Sequence, residues 1–336
     1  MTALQHTETT ARRQKYIDLH AHLDGCITPS IAMELARIQQ LELPCRDEGT
    51  LLSMLSVPDS CKSLNDFLQC FDLPCSLLQT PDSLCLAVKL VLAQMKKDGV
   101  IYAELRFAPQ LHTRNGMSQE NAVCAALRGL EEADIPANLI LCCMRGDGND
   151  IENEQTLELA HRYLVKDHGV VALDLAGAEG LFPTGNYVGL FKKASSLHIP
   201  FTIHAGEAGT ANDVKTAIEM GAARIGHGVR ICQSREIMEL VRDSKIPLEM
   251  CPTSNRQTNA VTDMKHYPLL QFLDFGIKVT VNTDDMAIER TSLPAEFRYL
   301  REQFGLTGAQ EQQLLMNAAG AAFASEKTKT WLREQI

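Results

Sequence analysis

The stretch HAHLDG, residues 20–25, places two histidines one position apart at the end of a short β-like run. Side chains alternate between the two faces of a strand, so His20 and His22 share a face and can reach one bound ion. Neutral imidazole is a common ligand of zinc and of other transition metals. The spacing therefore predicts half of a metal site at the carboxyl end of a first strand.

Two later residues complete this predicted metal site. His204 closes a predicted fifth strand, and Asp284 lies at the end of a predicted eighth strand, which is next to the first strand in a closed barrel. Three nitrogens and one oxygen, with a position left for water, are typical of a catalytic zinc site rather than a structural one. The ligand set alone does not choose the metal, so nickel, cobalt and iron are alternatives to one zinc per chain.

Two further polar residues are predicted beside the metal. Glu207 lies three positions after His204 and is a candidate proton donor, with a surface salt bridge as the alternative. His227, in RIGHG, is a candidate hydrogen-bond partner of the attacking water, with a role as fourth nitrogen ligand as the alternative. A second metal is not expected, because the end of the fourth strand, ALDLAGAEG, lacks the lysine that two-metal barrels modify there.

The elements that must position these residues are short apolar runs alternating with helix-like stretches. Strands are predicted at 16–20, 99–107, 138–144, 170–176, 201–207, 224–228, 248–252 and 277–285, and amphipathic helices at 151–167, 211–220, 234–243 and 308–323. Eight alternating units predict an α/β fold of the (β/α)8 TIM-barrel class. An open doubly wound sheet is the alternative, but it requires a glycine-rich phosphate turn where this chain has HAHLDG.

The interval between the first two predicted strands is long and contains helical stretches at 30–40, 50–56, 64–72 and 81–97. We therefore predict a helical insertion at 26–98 that covers the barrel mouth. The chain is predicted to be one metal-dependent hydrolase domain over 1–336, beginning with a polar tail at 1–15.

Polar residues fall at the carboxyl ends of the predicted strands, where barrel active sites lie. They are His20, His22, Glu104, Arg106, Asp174, His204, Glu207, His227, Asp284 and Asp285. A lone histidine at a strand end is usually structural, but four of the ten histidines converge here with acidic groups. The set predicts an active site.

The bulk composition excludes several classes of protein. The net charge is −10 and no basic block occurs, so a nucleic-acid or anionic-membrane partner is not expected. No apolar run reaches about 18 residues, and the amino terminus lacks the apolar stretch of a secretory signal. The eleven cysteines include no CxxC pair and lie mostly in apolar runs, which indicates reduced core thiols and a cytoplasmic protein.

Seven stretches together resemble the adenosine deaminase family of zinc-dependent aminohydrolases. They are HAHLDG (20–25), ILCCMR (140–145), DLAG (174–177), HAGE (204–207), GHG (226–228), CPTSN (251–255) and NTDD (282–285). The resemblance implies a hydrolase of purine metabolism that converts adenosine to inosine and ammonia, and 2′-deoxyadenosine to 2′-deoxyinosine and ammonia.

The resemblance also implies the roles of the residues at the metal. The implied zinc ligands are His20, His22, His204 and Asp284. Zinc lowers the pKa of its water toward neutrality. His227 and Asp284 would orient that water and take up its proton, and Glu207 would protonate N1 of the purine.

The implied substrate contacts lie around the metal. Asp285 would hydrogen-bond N7 in its protonated form, and the backbone of Gly177 would meet N3. Asp24 would hold the ribose 5′-hydroxyl with help from His22, and Ser254 would support Asp284. Relatives that act on free adenine tend to carry HLEG in place of HLDG, so the shorter Asp24 favours a substrate with a sugar.

The segment LNDFLQCF, 64–71, resembles the apolar gate over the pocket in this family, and its face is Leu64, Phe67, Leu68 and Phe71. The spacing independently fits one face of an amphipathic helix, for which plain core packing is the alternative. Met144 is expected to line the same cavity.

Three departures from the family pattern, Cys26, Ala178 and Met286, put pocket details and rates in doubt but not the reaction. The alternative functions are deamination of adenine or of an N6-modified adenosine monophosphate, and nucleoside binding without turnover. A cytidine-type zinc deaminase is excluded because its HxE and PCxxC pair does not occur.

Overall fold

The computed structural model describes residues 14–58 and 61–336, so most of the predicted polar tail at 1–15 lies outside the described residues. The strands are β1 (Tyr16–His22), β2 (Val100–Phe107), β3 (Ala137–Met144), β4 (Val170–Ala176), β5 (Thr202–Ala205), β6 (Arg224–His227), β7 (Leu248–Met250) and β8 (Val279–Val281). Every sequential pair within a sheet is parallel. They form two four-stranded sheets with the orders β1-β2-β3-β4 and β5-β6-β7-β8.

Single bridges join the two sheets at both of their seams. Leu173 of β4 pairs with Phe201, just before β5, and Ala21 of β1 pairs with Asp284, after β8. At the second seam Asp284 N donates to His20 O at 2.8 Å, and His22 N donates to Asp284 O at 2.8 Å. The predicted α/β architecture is confirmed, with the eight strands divided into two sheets that these bridges connect.

Helices separate the strands throughout the described chain. Their bounds are α1 (Pro29–Gln39), α2 (Glu48–Met54), α3 (Leu64–Leu68), α4 (Asp72–Leu77), α5 (Pro81–Lys97), α6 (Gln119–Glu131), α7 (Asp150–Arg162), α8 (Val188–Ser196), α9 (Ala211–Met220), α10 (Arg235–Ser244), α11 (Pro252–Gln257), α12 (Leu269–Asp274), α13 (Leu293–Phe304), α14 (Gly308–Ala321) and α15 (Glu326–Gln335). Short 3-10 turns include Asp24–Cys26 after β1 and Gln69–Phe71 between α3 and α4.

Helix ends follow their capping residues. Thr80 begins α5 with a reciprocal capping box, and Gly221 ends α9 in the left-handed conformation at φ 98°. Both helices have the predicted bounds. The predicted helix at 151–167 ends early, at Arg162, because Leu164 bridges to Val170 at the start of β4 instead of continuing the helix.

The segment between β1 and β2 holds five helices, α1 to α5. The single helix predicted at 64–72 is wrong, since the chain there is α3, a 3-10 turn and α4. Pro74, in the first turn of α4, has no N–H to donate to a preceding turn, so a continuous helix through it would lose a hydrogen bond and clash.

No single helix of the described residues is long and apolar enough to cross a membrane. One bent pair, Leu64–Leu77 with Pro81–Lys97, meets the length and composition criteria together, at an angle of 117°.

Candidate active site

A cavity of about 250 Å³ opens at the carboxyl ends of the strands. The predicted site residues that line it are His22, Asp24, Leu64, Phe67, Leu68, Phe71, Met144, Gly177, His204, Glu207, His227, Asp284 and Asp285. His20 lies behind this lining and is fully buried. The structure thus brings together residues from β1, from the segment after it, and from the ends of β3, β4, β5, β6 and β8.

Four side chains at the cavity floor offer a compact set of metal ligands. The ligand atoms of His20, His22, His204 and Asp284 all lie within 4.8 Å of one another. Asp284 Oδ1 lies 3.2 Å from His20 Nε2 and 3.4 Å from His22 Nε2. The Nε2 atoms of His22 and His204 are 3.2 Å apart.

The donor chemistry of this cluster fits one cation. His20 Nε2 is buried and has no hydrogen-bond partner among the described residues. Burial lowers the pKa of His22 well below its usual range, so this imidazole is neutral and its lone pair is free to bind a metal. Burial alone would raise the pKa of Asp284. The neighbouring His20 and His227 lower it by more than burial raises it, so the pKa lies well below its usual range and the side chain is a carboxylate.

Two buried carboxylates orient the ligand histidines from the side away from the cavity. His20 Nδ1 lies 2.8 Å from Glu249 Oε2, and His204 Nδ1 lies 2.9 Å from Asp174 Oδ2. Arg106 joins them, because its Nη1 donates to Asp174 and its Nη2 donates to Glu249, both at 2.9 Å. With Nδ1 engaged, each imidazole points Nε2 at the cluster.

These carboxylates remain ionised despite their burial. Burial alone would raise the pKa of Glu249. The charges of Arg106 and Arg224 lower it by more than burial raises it, so the pKa lies well below its usual range. In the same way, His204 and Arg106 outweigh the effect of burial and hold the pKa of Asp174 well below its usual range. The sequence pattern predicted Asp174 at a strand end but assigned it no role. Glu249 was not predicted. The feature that could have indicated it is a single acidic residue inside the apolar run LEMC.

Backbone strain marks two residues of the site. His227 has φ 61° and Asp284 has φ 59°, the left-handed region that residues other than glycine rarely adopt. In Asp284 this conformation follows from the seam, where its N–H and C=O both bond to β1. Strain of this kind persists only where surrounding contacts over-determine it.

His227 presents one nitrogen to the cavity. Asn255 Nδ2 donates to His227 Nδ1 at 3.0 Å, and Tyr267 donates to Asn255 Oδ1 at 3.0 Å, which fixes the orientation of the amide. In the neutral imidazole the proton is therefore on Nε2. That nitrogen lies 3.6 Å from Glu207 Oε2 and 3.7 Å from Asp284 Oδ2.

Glu207 lies in the loop 206–209, whose backbone N–H groups all donate to one carboxylate. Glu179, buried at 1% exposure, accepts hydrogen bonds from four successive backbone N–H groups, those of Gly206, Glu207, Ala208 and Gly209, at 2.7 to 3.0 Å. A side chain at Gly209 would put its Cβ 2.6 Å from Glu179 Oε1. Thr258 Oγ1 donates to Glu207 Oε1 at 3.0 Å. Nothing in the sequence pattern pointed to Glu179 or Thr258.

Asp285 lies at the cavity wall, where its carboxyl group is buried. Burial, and then the charges of Asp284 and Asp24, raise its pKa well above its usual range. Its Oδ1 has no hydrogen-bond partner among the described residues. The close approach requires glycine at position 25, where a Cβ would lie 1.7 Å from Asp285 Oδ1.

Asp24 lines the same cavity and is 4% exposed. Its Oδ1 accepts from Gly25 N at 3.2 Å, and its Oδ2 accepts from Cys75 Sγ at 3.4 Å. The predicted support of Asp284 by Ser254 is not made, since Ser254 Oγ has no hydrogen-bond partner among the described residues.

The apolar residues of 64–71 cover the cavity although they do not form one helix. Leu64, Phe67 and Leu68 come from α3, and Phe71 comes from the 3-10 turn after it. The rings of Phe67 and Phe71 are 6.0 Å apart at 62°, an edge-to-face contact.

Comparison with known proteins agrees with this geometry. The family model described as adenosine deaminase matches residues 16–336. An adenosine deaminase of Haemophilus ducreyi is 48% identical over 326 residues, which is 95% of this chain and 95% of that protein. An enzyme of this kind is a hydrolase that acts on C–N bonds.

Solved structures show the same fold. An adenine deaminase from Arthrobacter aurescens superimposes with a TM-score of 0.86 at 26% identity, over 95% of this chain and 97% of that one. An amidohydrolase from Burkholderia ambifaria with bound zinc has a TM-score of 0.82 at 21% identity, over 95% and 88% of the two chains. The family match spans nearly all of the described residues, and so the chain belongs to the adenosine deaminase family.

Proposed function

We propose that this protein hydrolytically deaminates adenosine and 2′-deoxyadenosine to inosine or deoxyinosine and ammonia. The observation that carries the proposal is the position of Glu207, a buried carboxyl group 3.6 Å from His227 Nε2 at the rim of a three-histidine, one-aspartate cluster. A protein that only bound nucleosides would not need a proton donor beside such a cluster. The adenosine deaminase of Haemophilus ducreyi supports the same substrate.

His20, His22, His204 and Asp284 would hold one zinc ion. The zinc-bound relative from Burkholderia ambifaria supports this choice of metal, as do the three imidazole nitrogens and one carboxylate oxygen of the cluster. When bound, zinc lowers the pKa of a water molecule so that hydroxide is available at neutral pH.

The side chains of the site would guide the protons. His227 Nε2 and Asp284 Oδ2, 3.7 Å apart, flank the position of the attacking water and orient it toward C6 of the purine. Asp284 takes up one proton of the water while the water oxygen adds to C6 and Glu207 protonates N1. The proton held on Asp284 passes to the amine, the C6–N bond breaks and ammonia leaves. The proton of the C6 hydroxyl returns to Glu207 as the C6 carbonyl of inosine forms.

The purine would be held by groups on the opposite wall. Asp285 would donate a hydrogen bond to N7 in its protonated form, which the upward direction of its pKa favours. The backbone of Gly177, which lines the cavity at φ 103°, meets N3. Asp24 accepts from the ribose 5′-hydroxyl with His22 beside it, and the gate of Leu64, Phe67, Leu68 and Phe71 closes over the sugar.

We propose that the helices between β1 and β2 belong to one catalytic domain together with the strands. Cys75 of α4 donates to Asp24, which follows β1, and Val57 N donates to Ile288 O, which follows β8, at 2.9 Å. The insertion is therefore bonded to the chain on both sides of the seam between β1 and β8.

An absorbance assay of purified protein tests the proposal. The substrates are adenosine, deoxyadenosine, adenine and AMP, each with and without a chelator. We expect turnover of the two nucleosides and loss of that turnover on chelation. Preference for adenine or AMP, or full ammonia release without metal, would contradict the proposal.

A further inference from the structure

A thiol sits in the substrate cavity against the carboxylate that is proposed to bind ribose. Cys75 lies on α4, lines the cavity and is 4% exposed. Its Sγ is 3.4 Å from Asp24 Oδ2, within hydrogen-bond range for sulfur. Burial and the charge of Asp24 raise the pKa of Cys75 well above its usual range, so the thiol keeps its proton and is the donor.

The backbone of Cys75 is linked through Gln79 to two other residues of the cavity lining. Gln79 Nε2 donates to Cys75 O at 2.7 Å and to Leu111 O at 2.9 Å. Gln79 Oε1 in turn accepts from Arg114 N at 2.9 Å. Leu111 and Arg114 both line the cavity, so the thiol is fixed relative to the groups that surround the substrate.

The other hydrogen bond to Asp24 is local. Oδ1 accepts from Gly25 N, the next residue in the chain, at 3.2 Å. This contact alone does not fix the position of the other carboxylate oxygen, Asp24 Oδ2. The bond from Cys75 to Oδ2 comes from a different element and selects one position of the carboxylate.

We propose that Cys75 is a positioning residue that orients Asp24 for the 5′-hydroxyl of the nucleoside and thereby sets the preference for substrates that carry that hydroxyl. This inference rests on the proposed function. Cys75 acts through Asp24 and takes no part in the chemistry at C6.

The test compares adenosine with 5′-deoxyadenosine, which lacks the hydroxyl. The measured quantity is the ratio of kcat/KM for the two substrates, called here the 5′-hydroxyl preference. Cys75→Ala should lower this preference about two- to tenfold, mostly through KM for adenosine, which corresponds to one weak hydrogen bond. Cys75→Ser keeps a donor of similar size and should restore it. Metal content should stay unchanged in both variants.

Two further variants separate positioning from packing. Cys143→Ala removes a thiol that is also buried but lies outside the cavity lining, and should leave the preference unchanged. In an Asp24→Ala background, Cys75→Ala should cause no additional loss of preference, because the residue it positions is gone.

Each contrary result has a definite meaning. Equal losses for both substrates in Cys75→Ala would show that the thiol only packs, and an undiminished effect in the Asp24→Ala background would show that it contacts the hydroxyl directly. Either result overturns the inference while the proposed function stands. If the wild-type protein does not deaminate adenosine, the proposed function is contradicted, and so is this inference, which rests on it.

Discussion

His20 Nδ1 and Glu249 Oε2 lie 2.8 Å apart, and both side chains are completely buried. The contact ties the first histidine of HAHLDG on β1 to a carboxylate on β7, more than two hundred residues later. Because Arg106 binds the same carboxylate oxygen, Glu249 cannot turn away from the imidazole. The position of His20 Nε2 in the metal cluster therefore depends on a residue that touches neither metal nor substrate.

Glu249→Gln should weaken metal binding. The amide removes the negative charge that supports His20, and loss of such a partner typically costs about ten- to a hundredfold in metal affinity. Competition with a chelator of known affinity measures the change. Glu239→Gln, on the exposed face of α10, is the matched control. Unchanged affinity in Glu249→Gln would remove this carboxylate from the support of the site.

Glu207→Gln should bind zinc and nucleoside but lose most turnover. The amide has the same shape and can still accept from Thr258, yet it cannot give a proton to N1. Loss of a general acid typically lowers kcat by about 10² to 10⁴. Steady-state kinetics and metal analysis on the same preparation check both halves of the prediction. Near-normal kcat would assign the proton donor elsewhere.

Glu179→Gln should lower kcat without removing the metal. One of its oxygens would become an amide that faces N–H donors of 206–209, so the loop moves and Glu207 with it. A misplacement of about 1 Å can cost about a hundredfold in rate. His204 precedes this loop, so metal content should be that of the wild type. Glu219→Gln, exposed on α9, is the control, and an effect on kcat equal to that control would contradict the role.

Asp24→Ala should raise KM for adenosine with little change in metal content. A hydrogen bond to a charged group contributes about 1.5–3 kcal/mol, so KM should rise by about ten- to a hundredfold. Adenosine titration and metal analysis of the same variant provide the measurement. An unchanged KM would separate Asp24 from the ribose.

The four metal ligands of the cavity were predictable from the sequence because strand alternation and strand ends are local patterns. The two-residue period of a strand was enough to predict that His20 and His22 share one face. The order of strands in a barrel was enough to predict that Asp284 lies beside them. The structure places these three together with His204, as the pattern implies.

The residues that support the cavity were not predictable in this way. Glu249 is 229 positions from its partner His20, and Asn255 is 28 positions from His227. Glu179 is 27 to 30 positions from the N–H groups that it accepts from. These contacts arise only when separate elements pack. No period in the sequence records such pairs. The break between α3 and α4 was missed for a different reason. The apolar spacing of 64–71 continues through the 3-10 turn, while Pro74 has no N–H to join α4 to a continuous helix from α3.

Glu296 should make the protein less stable as the pH rises from about 5 to about 7. This residue of α13 is 1% exposed, and it accepts hydrogen bonds from Thr253 N and from Thr291 Oγ1. Burial raises its pKa from 4.5 to about 7. Between these two values the folded chain holds a proton that the unfolded chain has released, so stability falls with rising pH and levels off above about 7.

Glu296→Gln cannot ionise and should remove this loss. Relative to the wild type, its stability should improve between pH 5 and pH 8 by up to about 3 kcal/mol, since one pKa unit corresponds to about 1.4 kcal/mol. Thermal midpoints of both proteins at the two pH values give the comparison, and other buried acids cancel because they are common to both. Glu302→Gln, exposed on the same helix, should follow the wild type at each pH. A pH-independent difference between Glu296→Gln and the wild type would show that Glu296 does not titrate in this range.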